Sequence, residues 1–294
     1  MRVLVIGGTG MLGHKLVQTL GDDLEVWTTI RRPFSQVERF NIFDRRRTVE
    51  NLNVLDNDAL RSAIDLIKPS VVINAVGVIK QVPAADDPAE MIKINAVLPN
   101  TLASMSRDFA FRLICISTDC VFSGKSGNYR EDDLPDAVDL YGESKYNGEV
   151  KAENCLTLRT SMIGRELDTC HSLLEWLLSN RGGEVKGFVN AIFSGFSTKA
   201  LARLITSIIK DHPTLLGLYH LSSEPISKYE LLKMLERYFN ADIQIIPDDS
   251  LNIDRSLNSD RFWERTGLMR PSWPQMIMAM AEDPTPYDEF HGII

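Results

Sequence analysis

The sequence lacks several features that would assign it to particular classes of protein. No apolar run reaches the roughly 18 residues that a membrane-spanning helix needs. The N-terminal segment, MRVLVIGGTG, shows none of the basic, apolar and small-residue regions of a secretion signal. We therefore expect a soluble, cytoplasmic chain that has no membrane partner.

Cysteine is scarce, and basic residues are outnumbered by acidic ones. The four cysteines form no CxxC pair and no spacing typical of metal ligands, so we predict reduced thiols and no metal site. Lys and Arg number 32 against 40 Asp and Glu, which gives a formal net charge of −8. That balance disfavours nucleic acid as a partner, although it allows local basic pockets for phosphate groups.

What is present is an alternation of short apolar strands and helices over the first half of the chain. Because strands buried on both faces read as continuous apolar runs, the pattern predicts an α/β fold with a doubly wound parallel sheet. After about residue 164 the alternation loosens into amphipathic helices and Pro-broken segments, which predicts a smaller mixed α/β lobe. We place the first domain at 1–164, with about 190–222 returning to it, and the second lobe at 165–294. The strands are predicted in RVLVIGG, LEVWTTI, PSVVINAV, FRLICIS and CLTLRTSMIG.

A glycine-rich turn follows the first strand. GGTGMLG places Gly7, Gly10 and Gly13 three residues apart between a strand and a helix. Missing Cβ atoms suit a tight turn, the close approach of a pyrophosphate and close packing of helix on strand. The turn predicts a dinucleotide site, the alternative being glycines that only end the strand.

The second strand ends in Arg31 and Arg32, where many dinucleotide-binding domains carry a carboxylate for the ribose. Guanidinium groups suit a 2′-phosphate, so the sequence favours NADPH, with NADH as the alternative cofactor. The competing interpretation is a solvated basic pair in a loop.

A tyrosine and a lysine lie four residues apart in DLYGESKYNGE, and on a helix Tyr141 and Lys145 share one face. A neighbouring ammonium group lowers the pKa of a phenol, which suits Tyr141 to exchange a proton with a carbonyl or alcohol oxygen. Thr118, at the end of a strand about 20 residues upstream, supplies a hydroxyl that can bind the same oxygen.

Together with INAVG at 73–77 and LRTS at 158–161, these motifs resemble the extended short-chain dehydrogenase/reductase family. The stretch ISTDCVFSGKSGNYREDDLPDAVDLYGESKYNGE most resembles the dTDP-4-dehydrorhamnose reductases. The resemblance implies a Rossmann-type domain that binds NADP, followed by a substrate-binding lobe. It covers most of the chain, densely to about residue 165 and thinly beyond.

The resemblance also implies roles for individual residues. Tyr141 would be the general acid, Lys145 would bind the nicotinamide ribose and tune Tyr141, and Thr118 would position the keto group. Further cofactor contacts would come from the glycine turn, the adenine region and the loop after the INAVG strand, at Gly10, Met11, Leu12, Gly13, Asn53, Val54, Ala75, Val76 and Gly77.

The implied reaction is reduction of the C4 keto group of a 4-keto-6-deoxyhexose linked to a nucleoside diphosphate. Dehydratases of the family carry Glu where this chain has Cys120, so the residues favour a reductase. Cys120 also replaces a tyrosine, and Met162 a tryptophan, of the rhamnose-forming enzymes, which leaves the sugar and its stereochemistry open. The alternatives are an epimerase of the same superfamily and a non-catalytic NADP-binding regulatory subunit.

Several other residues are candidates for substrate contacts. Lys80 and Gln81 would face the substrate or the nicotinamide ribose, or else lie in a solvated loop. Asp119 would bind a sugar hydroxyl or cap the following loop. Arg255 is one of four arginines eligible to bind the diphosphate, the others being Arg165, Arg261 and Arg270. A homodimer is compatible with these motifs and is left open.

Overall fold

The computed structural model describes residues 1–80 and 87–292. The chain folds as two compact units that interleave along the sequence. The first unit comprises Met1–Ser117, Asp139–Leu158 and Ala202–Leu218, and the second comprises Thr118–Val138, Arg159–Leu201 and Tyr219–Ile294. The domain boundary predicted at residue 164 stays a prediction.

A seven-stranded sheet forms the centre of the α/β fold. Its strands are β1 (Arg2–Ile6), β2 (Glu25–Thr29), β3 (Thr48–Val49), β4 (Val71–Asn74), β5 (Arg112–Thr118), β6 (Cys155–Thr160) and β10 (Gly217–His220). The spatial order is β10-β6-β5-β4-β1-β2-β3, and the pairs β1–β2, β1–β4, β2–β3 and β4–β5 are parallel. The strand order reverses beside β1, and ligands of such sheets bind where that reversal lies. The predicted Rossmann-type sheet is confirmed.

Helices of the first unit are α1 (Gly13–Gly21), α2 (Asn57–Ile67), α3 (Pro88–Ile92), α4 (Leu98–Asp108), α5 (Leu140–Asn147) and α7 (Thr198–Asp211), the last shared with the second unit. A π-helical turn at Lys93–Val97 joins α3 to α4. Apolar side chains of α2, α4 and the strands form a dry core that includes Leu4, Leu60, Ile64, Leu102 and Leu113. At roughly 25 cal/mol per Å² of apolar surface removed from water, this burial is the main term that stabilises the unit.

The second unit contains a smaller mixed sheet, as predicted. Its strands are β7 (Met162–Ile163), β8 (Glu184–Phe193), β9 (Phe196–Ser197), β11 (Ile226–Ser227) and β12 (Gln244–Asp254). Strand β8 pairs in parallel with β12 and antiparallel with β11, and β7 pairs with β9. The helices are α6 (Leu173–Leu178), α8 (Lys228–Phe239), α9 (Asp260–Thr266), α10 (Trp273–Ala281) and α11 (Tyr287–Phe290).

Local signals explain most helix starts. Ser227 accepts a hydrogen bond from the amide of Glu230 and caps α8, and Ser197 accepts one from the amide of Ala200 at the start of α7. Such a cap contributes about 1 kcal/mol. The segment CLTLRTSMIG is divided rather than continuous, because the Ser161 carbonyl accepts the amide of Phe196 and the chain changes partners there. No helix of residues 1–80 and 87–292 is long and apolar enough to cross a bilayer.

Candidate active site

The glycine turn is built around two positions where a side chain would collide with backbone or neighbouring atoms. Gly7 has φ +88°, and a Cβ there would lie 2.6 Å from Val76 Cγ2. A Cβ on Gly13 would lie 2.0 Å from the Gly7 carbonyl oxygen, so α1 packs directly on the turn. The Gly10 amide donates to that carbonyl at 3.1 Å and closes the turn. Met11 and Leu12 lie between Gly10 and the start of α1, and the His14 amide donates to the Gly10 carbonyl at 3.1 Å.

This cradle fits a pyrophosphate. The carboxyl end of β1 is joined to the N-terminus of α1 by the glycine turn, whose glycines leave the backbone uncovered. This turn lies where the strand order of the sheet reverses. Gly7, Gly10, Met11, Leu12 and Gly13 therefore lie together, as a dinucleotide site requires. Their contacts with a cofactor stay a prediction.

The loop after β4 is held by a buried asparagine. Asn95, in the π-helical turn and 1% exposed, accepts the Val78 amide at 2.9 Å and donates to the Val78 carbonyl at 2.9 Å. It also donates to Ser144 Oγ at 3.1 Å, which in turn donates to the carbonyl of Tyr141. The predicted cofactor loop is thereby fastened to the helix that carries Tyr141. That loop contains Ala75, Val76 and Gly77.

Tyr141 and Lys145 both lie on α5, as their spacing predicts. Lys145 Nζ donates to the Ile116 carbonyl at 2.6 Å, and Glu149 lies close enough to stabilise its charge. Burial lowers the pKa of Lys145, an effect that the neighbouring Cys115 and Glu149 oppose. Lys145 is thus a fixed, largely desolvated cation one helical turn from the Tyr141 phenol.

Lys80 lies beside the same tyrosine. Its ammonium pairs with Asp139, the N-cap of α5, and lies 5.5 Å from the centre of the Tyr141 ring. Lys80 is an exposed residue in a turn, and its predicted contact with the substrate or the nicotinamide ribose stays a prediction. Gln81 lies outside the described residues.

The residues predicted to contact the adenosine part of the cofactor lie at the edge of the sheet beyond β2. They are Arg31, Arg32, Asn53 and Val54. Arg31 is 84% exposed and lies 3.9 Å from Glu90, and Arg32 lies over the Phe40 ring at 5.6 Å. Asn53 is exposed and accepts the amide two residues on, at 3.1 Å, while Val54 packs partly against the core. This edge leaves Arg31 accessible to a phosphate, so its predicted role stays open to test.

In the second unit, Thr118 begins a short polar cluster. Its hydroxyl donates to Asp119 Oδ1 at 3.1 Å and accepts the Cys120 amide at 3.1 Å. Thr118, not Asp119, is therefore the side-chain cap of the 3₁₀ turn at Asp119–Val121. Burial raises the pKa of Asp119, an effect opposed by Arg255, the Thr118 hydroxyl, the Cys120 thiol and Lys228.

Arg255 joins this cluster, which distinguishes it from the other eligible arginines. Its Nε donates to the Phe122 carbonyl at 2.9 Å, and Nη1 lies 3.6 Å from Cys120 Sγ. The other three have structural partners: Arg165 is buried against Glu175 and Asp288, Arg270 pairs with Glu224 and Asp260, and Arg261 lies over the Tyr219 ring. Met162 is partly exposed in β7.

Two residues of these clusters were missed in the sequence. Asn95 stands in an ordinary helical pattern, and only the π-helical turn reveals its position. Lys228 begins α8 and reads as a solvated lysine, yet the fold brings it into electrostatic contact with Asp119, Cys120 and Arg255. No group of His, Cys, Asp and Glu side chains suited to a metal ion occurs in the part of the chain that the structure describes.

The sheet, the glycine turn and the Tyr–Lys helix define a Rossmann-type oxidoreductase of the extended short-chain dehydrogenase/reductase class. A family model described as "RmlD substrate binding domain" matches residues 1–261. The chain belongs to that family.

Individual relatives match the chain at low sequence identity. A dTDP-4-dehydrorhamnose reductase of Aggregatibacter actinomycetemcomitans is 27% identical over 241 residues, which is 78% of this chain and 76% of the relative. Methionine adenosyltransferase 2 subunit beta of Xenopus laevis is 26% identical over 251 residues, or 81% and 72% of the two chains. The crystal structure of dTDP-4-dehydrorhamnose reductase from Bacillus anthracis, solved in complex with NADP, superposes with a TM-score of 0.77 at 23% identity. It covers 95% of this chain and 98% of its own, and it supports the fold.

Proposed function

We propose that the chain is an NADPH-dependent reductase that acts on the C4 keto group of a nucleotide-linked 4-keto-6-deoxyhexose. Such a reaction would serve the biosynthesis of deoxysugars and of polysaccharides that contain them. The observation that carries the proposal is the Lys145 ammonium, fixed on the Ile116 carbonyl one helical turn from Tyr141. The glycine cradle for a dinucleotide lies in the same unit.

The first unit supplies the proton chemistry. The cofactor, when bound, supplies a hydride, and the keto oxygen then needs one proton to become a hydroxyl. Tyr141 donates that proton, and the nearby Lys145 cation favours the phenolate that remains. Lys80 also lies 5.5 Å from the centre of the Tyr141 ring, where its charge is paired with Asp139. Lys145 and the loop that Asn95 holds would also contact the nicotinamide ribose.

The second unit supplies contacts to the sugar. The Thr118 hydroxyl has a single proton, which it donates to Asp119 in this structure. To serve the keto oxygen it rotates away from that carboxylate, at a cost of one hydrogen bond that the new bond replaces. Asp119, Cys120, Met162 and Arg255 are proposed to contact the substrate.

NADPH is proposed over NADH because Arg31 and Arg32 follow β2 and no carboxylate takes the usual position for the ribose hydroxyls. The exposed guanidinium of Arg31 is free to turn from Glu90, a partner at 3.9 Å, toward a phosphate.

A second candidate function is that of a non-catalytic NADP-binding subunit. The relationship to methionine adenosyltransferase 2 subunit beta, at 26% identity, specifically favours it. Retention of Thr118, Tyr141 and Lys145 together favours an enzyme. An epimerase would use the same tyrosine and lysine, but it would show no net oxidation of NADPH.

The experiment follows NADPH oxidation with a panel of dTDP-, UDP- and GDP-linked 4-keto-6-deoxy sugars. We expect turnover with at least one of them, and a loss of about 10²–10⁴-fold in Tyr141→Phe, the usual contribution of a general acid. Tyr146→Phe is the matched control, because Tyr146 is 39% exposed on the same helix. A chain that binds NADPH but oxidises none with any sugar would favour the regulatory subunit. Undiminished turnover in Tyr141→Phe would contradict the proposed role of Tyr141 as the proton donor.

A further inference from the structure

Two hydrogen bonds join the end of β5 to α5 and to the turn that follows this helix. Lys145 Nζ donates to the Ile116 carbonyl at 2.6 Å, and the hydroxyl of the next strand residue, Ser117, donates to Glu149 Oε1 at 2.8 Å. Ser117 is 5% exposed, and Glu149 is held just beyond α5 because its own amide donates to the Tyr146 carbonyl at 3.0 Å. Lys145 and Glu149 therefore bind neighbouring residues of the same strand end.

Glu149 also acts on the charge of Lys145. Burial lowers the pKa of the Lys145 ammonium, and Cys115 of β5 and Glu149 oppose that shift. Burial raises the pKa of the Cys115 thiol to about 12, so this thiol is uncharged at neutral pH. Of these two groups, Glu149 is therefore the one that supplies a negative charge to the ammonium at neutral pH.

The other groups near this lysine are uncharged or already paired. A Cβ placed on Gly77 would lie 3.9 Å from Lys145 Nζ, so the loop after β4 presents uncharged backbone to the ammonium. Tyr141 lies one turn earlier on α5, and the Asp139 carboxylate at the start of that helix is paired with Lys80. The negative charge that acts on the ammonium therefore comes from the turn after α5.

We propose that Glu149 is a positioning residue, which fastens the end of β5 through Ser117 and balances the charge of the Lys145 ammonium. Lys145 thereby stays a fixed cation one helical turn from Tyr141. If Glu149 served only to bind Ser117, an uncharged acceptor would work equally well. That the cation acts on Tyr141 during reduction rests on the proposed function, whereas the effect of Glu149 on Lys145 does not.

Three variants separate the charge of Glu149 from its hydrogen bond. Glu149→Gln removes the charge and keeps an oxygen that can accept from Ser117, whereas Ser117→Ala removes the hydrogen bond and keeps the charge. Glu149→Asp restores a carboxylate at the same position. Glu153→Gln is the matched control, because Glu153 is an exposed glutamate four residues further along the chain.

The measurement follows the protonation of Lys145 in the full chain without cofactor. The protein is trace-labelled across the neutral to alkaline range with acetic anhydride, which reacts with the unprotonated amine, and mass spectrometry gives the labelling rate of Lys145 alone. A change in access to the amine scales this rate equally at every pH, whereas a change in protonation moves the pH at which the rate rises. The pH of half-maximal labelling therefore does not respond to a change in access alone.

We expect Glu149→Gln to raise the labelling rate of Lys145 at neutral pH about tenfold, because loss of a nearby opposite charge shifts the ammonium equilibrium toward the amine by roughly that factor. The half-maximal pH should fall accordingly, whereas Ser117→Ala should move it much less and Glu149→Asp should restore most of it. In the same Glu149→Gln variant, the alkaline limit of NADPH turnover should move to lower pH, with little change in KM for the sugar.

An unchanged half-maximal pH in Glu149→Gln, or an equal shift in Glu153→Gln, overturns the proposal. An equal shift in Ser117→Ala would assign the effect to the hydrogen bond and overturns the charge balance. A Glu149-dependent shift in a chain that oxidises no NADPH would keep the positioning role and remove the reductase. Loss of turnover in Glu149→Gln without the shift would keep the reductase and remove the positioning role.

Discussion

Two partly buried lysines, one in each unit, have different surroundings. Lys145 of the first unit donates to the Ile116 carbonyl at 2.6 Å and has Glu149 close by, while Lys228 of the second lies 5.6 Å from the centre of the Phe193 ring and interacts electrostatically with Asp119. Burial lowers the pKa of both. A lysine fixed by the backbone suits a step common to every substrate.

The sequence motifs also differ between the two units. The first unit carries the glycine turn and the Tyr–Lys helix, which resemble many members of the extended short-chain dehydrogenase/reductase class. The second carries the departures, Cys120 and Met162. We infer that the chemistry is set in the first unit and the choice of sugar in the second.

The prediction with the largest expected effect concerns Lys145 of the first unit. Lys145→Met removes the cation that we propose lowers the pKa of Tyr141, so we expect turnover to fall by about 10²–10⁴-fold. Lys151→Met, at an exposed position just beyond the same helix, is the control. Steady-state NADPH oxidation measures both. Equal loss in the two variants would contradict a specific role for Lys145.

The second prediction contrasts a paired buried cation with an unpaired one inside the second unit. Arg165 is 8% exposed and donates to Glu175 and Asp288 at 2.7 Å each. Arg165→Met leaves Glu175 buried without its partner, so the free energy of unfolding should fall by about 3–5 kcal/mol. Lys228→Met should change stability little, because Lys228 is partly exposed and donates no hydrogen bond to a residue that the structure describes.

Denaturant unfolding of both variants at neutral pH checks this contrast. A loss of stability in Lys228→Met as large as that in Arg165→Met would mean that Lys228 is structural.

The third prediction concerns cofactor choice. Replacing Arg31 and Arg32 together by glutamine should reduce the preference for NADPH over NADH by about 10–100-fold, the usual worth of a charge-assisted contact to phosphate. Arg61→Gln is the control, because Arg61 is a half-exposed arginine that pairs with Asp108 at 2.6 Å. Binding constants for the two cofactors decide it, and an unchanged ratio would exclude the arginine pair as the phosphate site.

The smallest expected effect concerns a buried histidine of the second unit. His220 accepts from Arg159 at 3.1 Å and donates to the Tyr129 carbonyl at 3.0 Å. Burial, aided by Arg159, lowers the pKa of His220 to about 4. Between about pH 6.5 and 4 the unfolded chain therefore binds a proton that the folded chain excludes, and stability falls as the pH falls.

This histidine should contribute a slope of about 1.4 kcal/mol per pH unit in that interval. Unfolding free energies of the wild type and of His220→Gln, measured from pH 7 to 4, test the effect. The variant should lose less stability on acidification than the wild type does. Parallel curves would contradict a neutral, buried His220.

The sequence was most informative where function depends on neighbours along the chain. Gly7, Gly10 and Gly13 lie in one glycine-rich loop, and Tyr141 and Lys145 lie about one helical turn apart. Their spacing in the sequence was therefore enough to predict that each set lies together. It was least informative where partners are far apart. Asn95 and Ser144 are 49 positions apart, and Arg255 and Cys120 are 135 apart. Strand β3 was missed because it has only two residues.

The most direct test of the reductase assignment uses NADPH deuterated at the transferred position of the nicotinamide. The chain is incubated with the 4-keto-6-deoxy sugar nucleotide that supports turnover, and the product is analysed by mass spectrometry and NMR. We predict one deuterium, bound to C4 of the sugar, for each cofactor oxidised. Deuterium on another carbon, or no transfer from a bound cofactor to any sugar of the panel, would contradict the assignment.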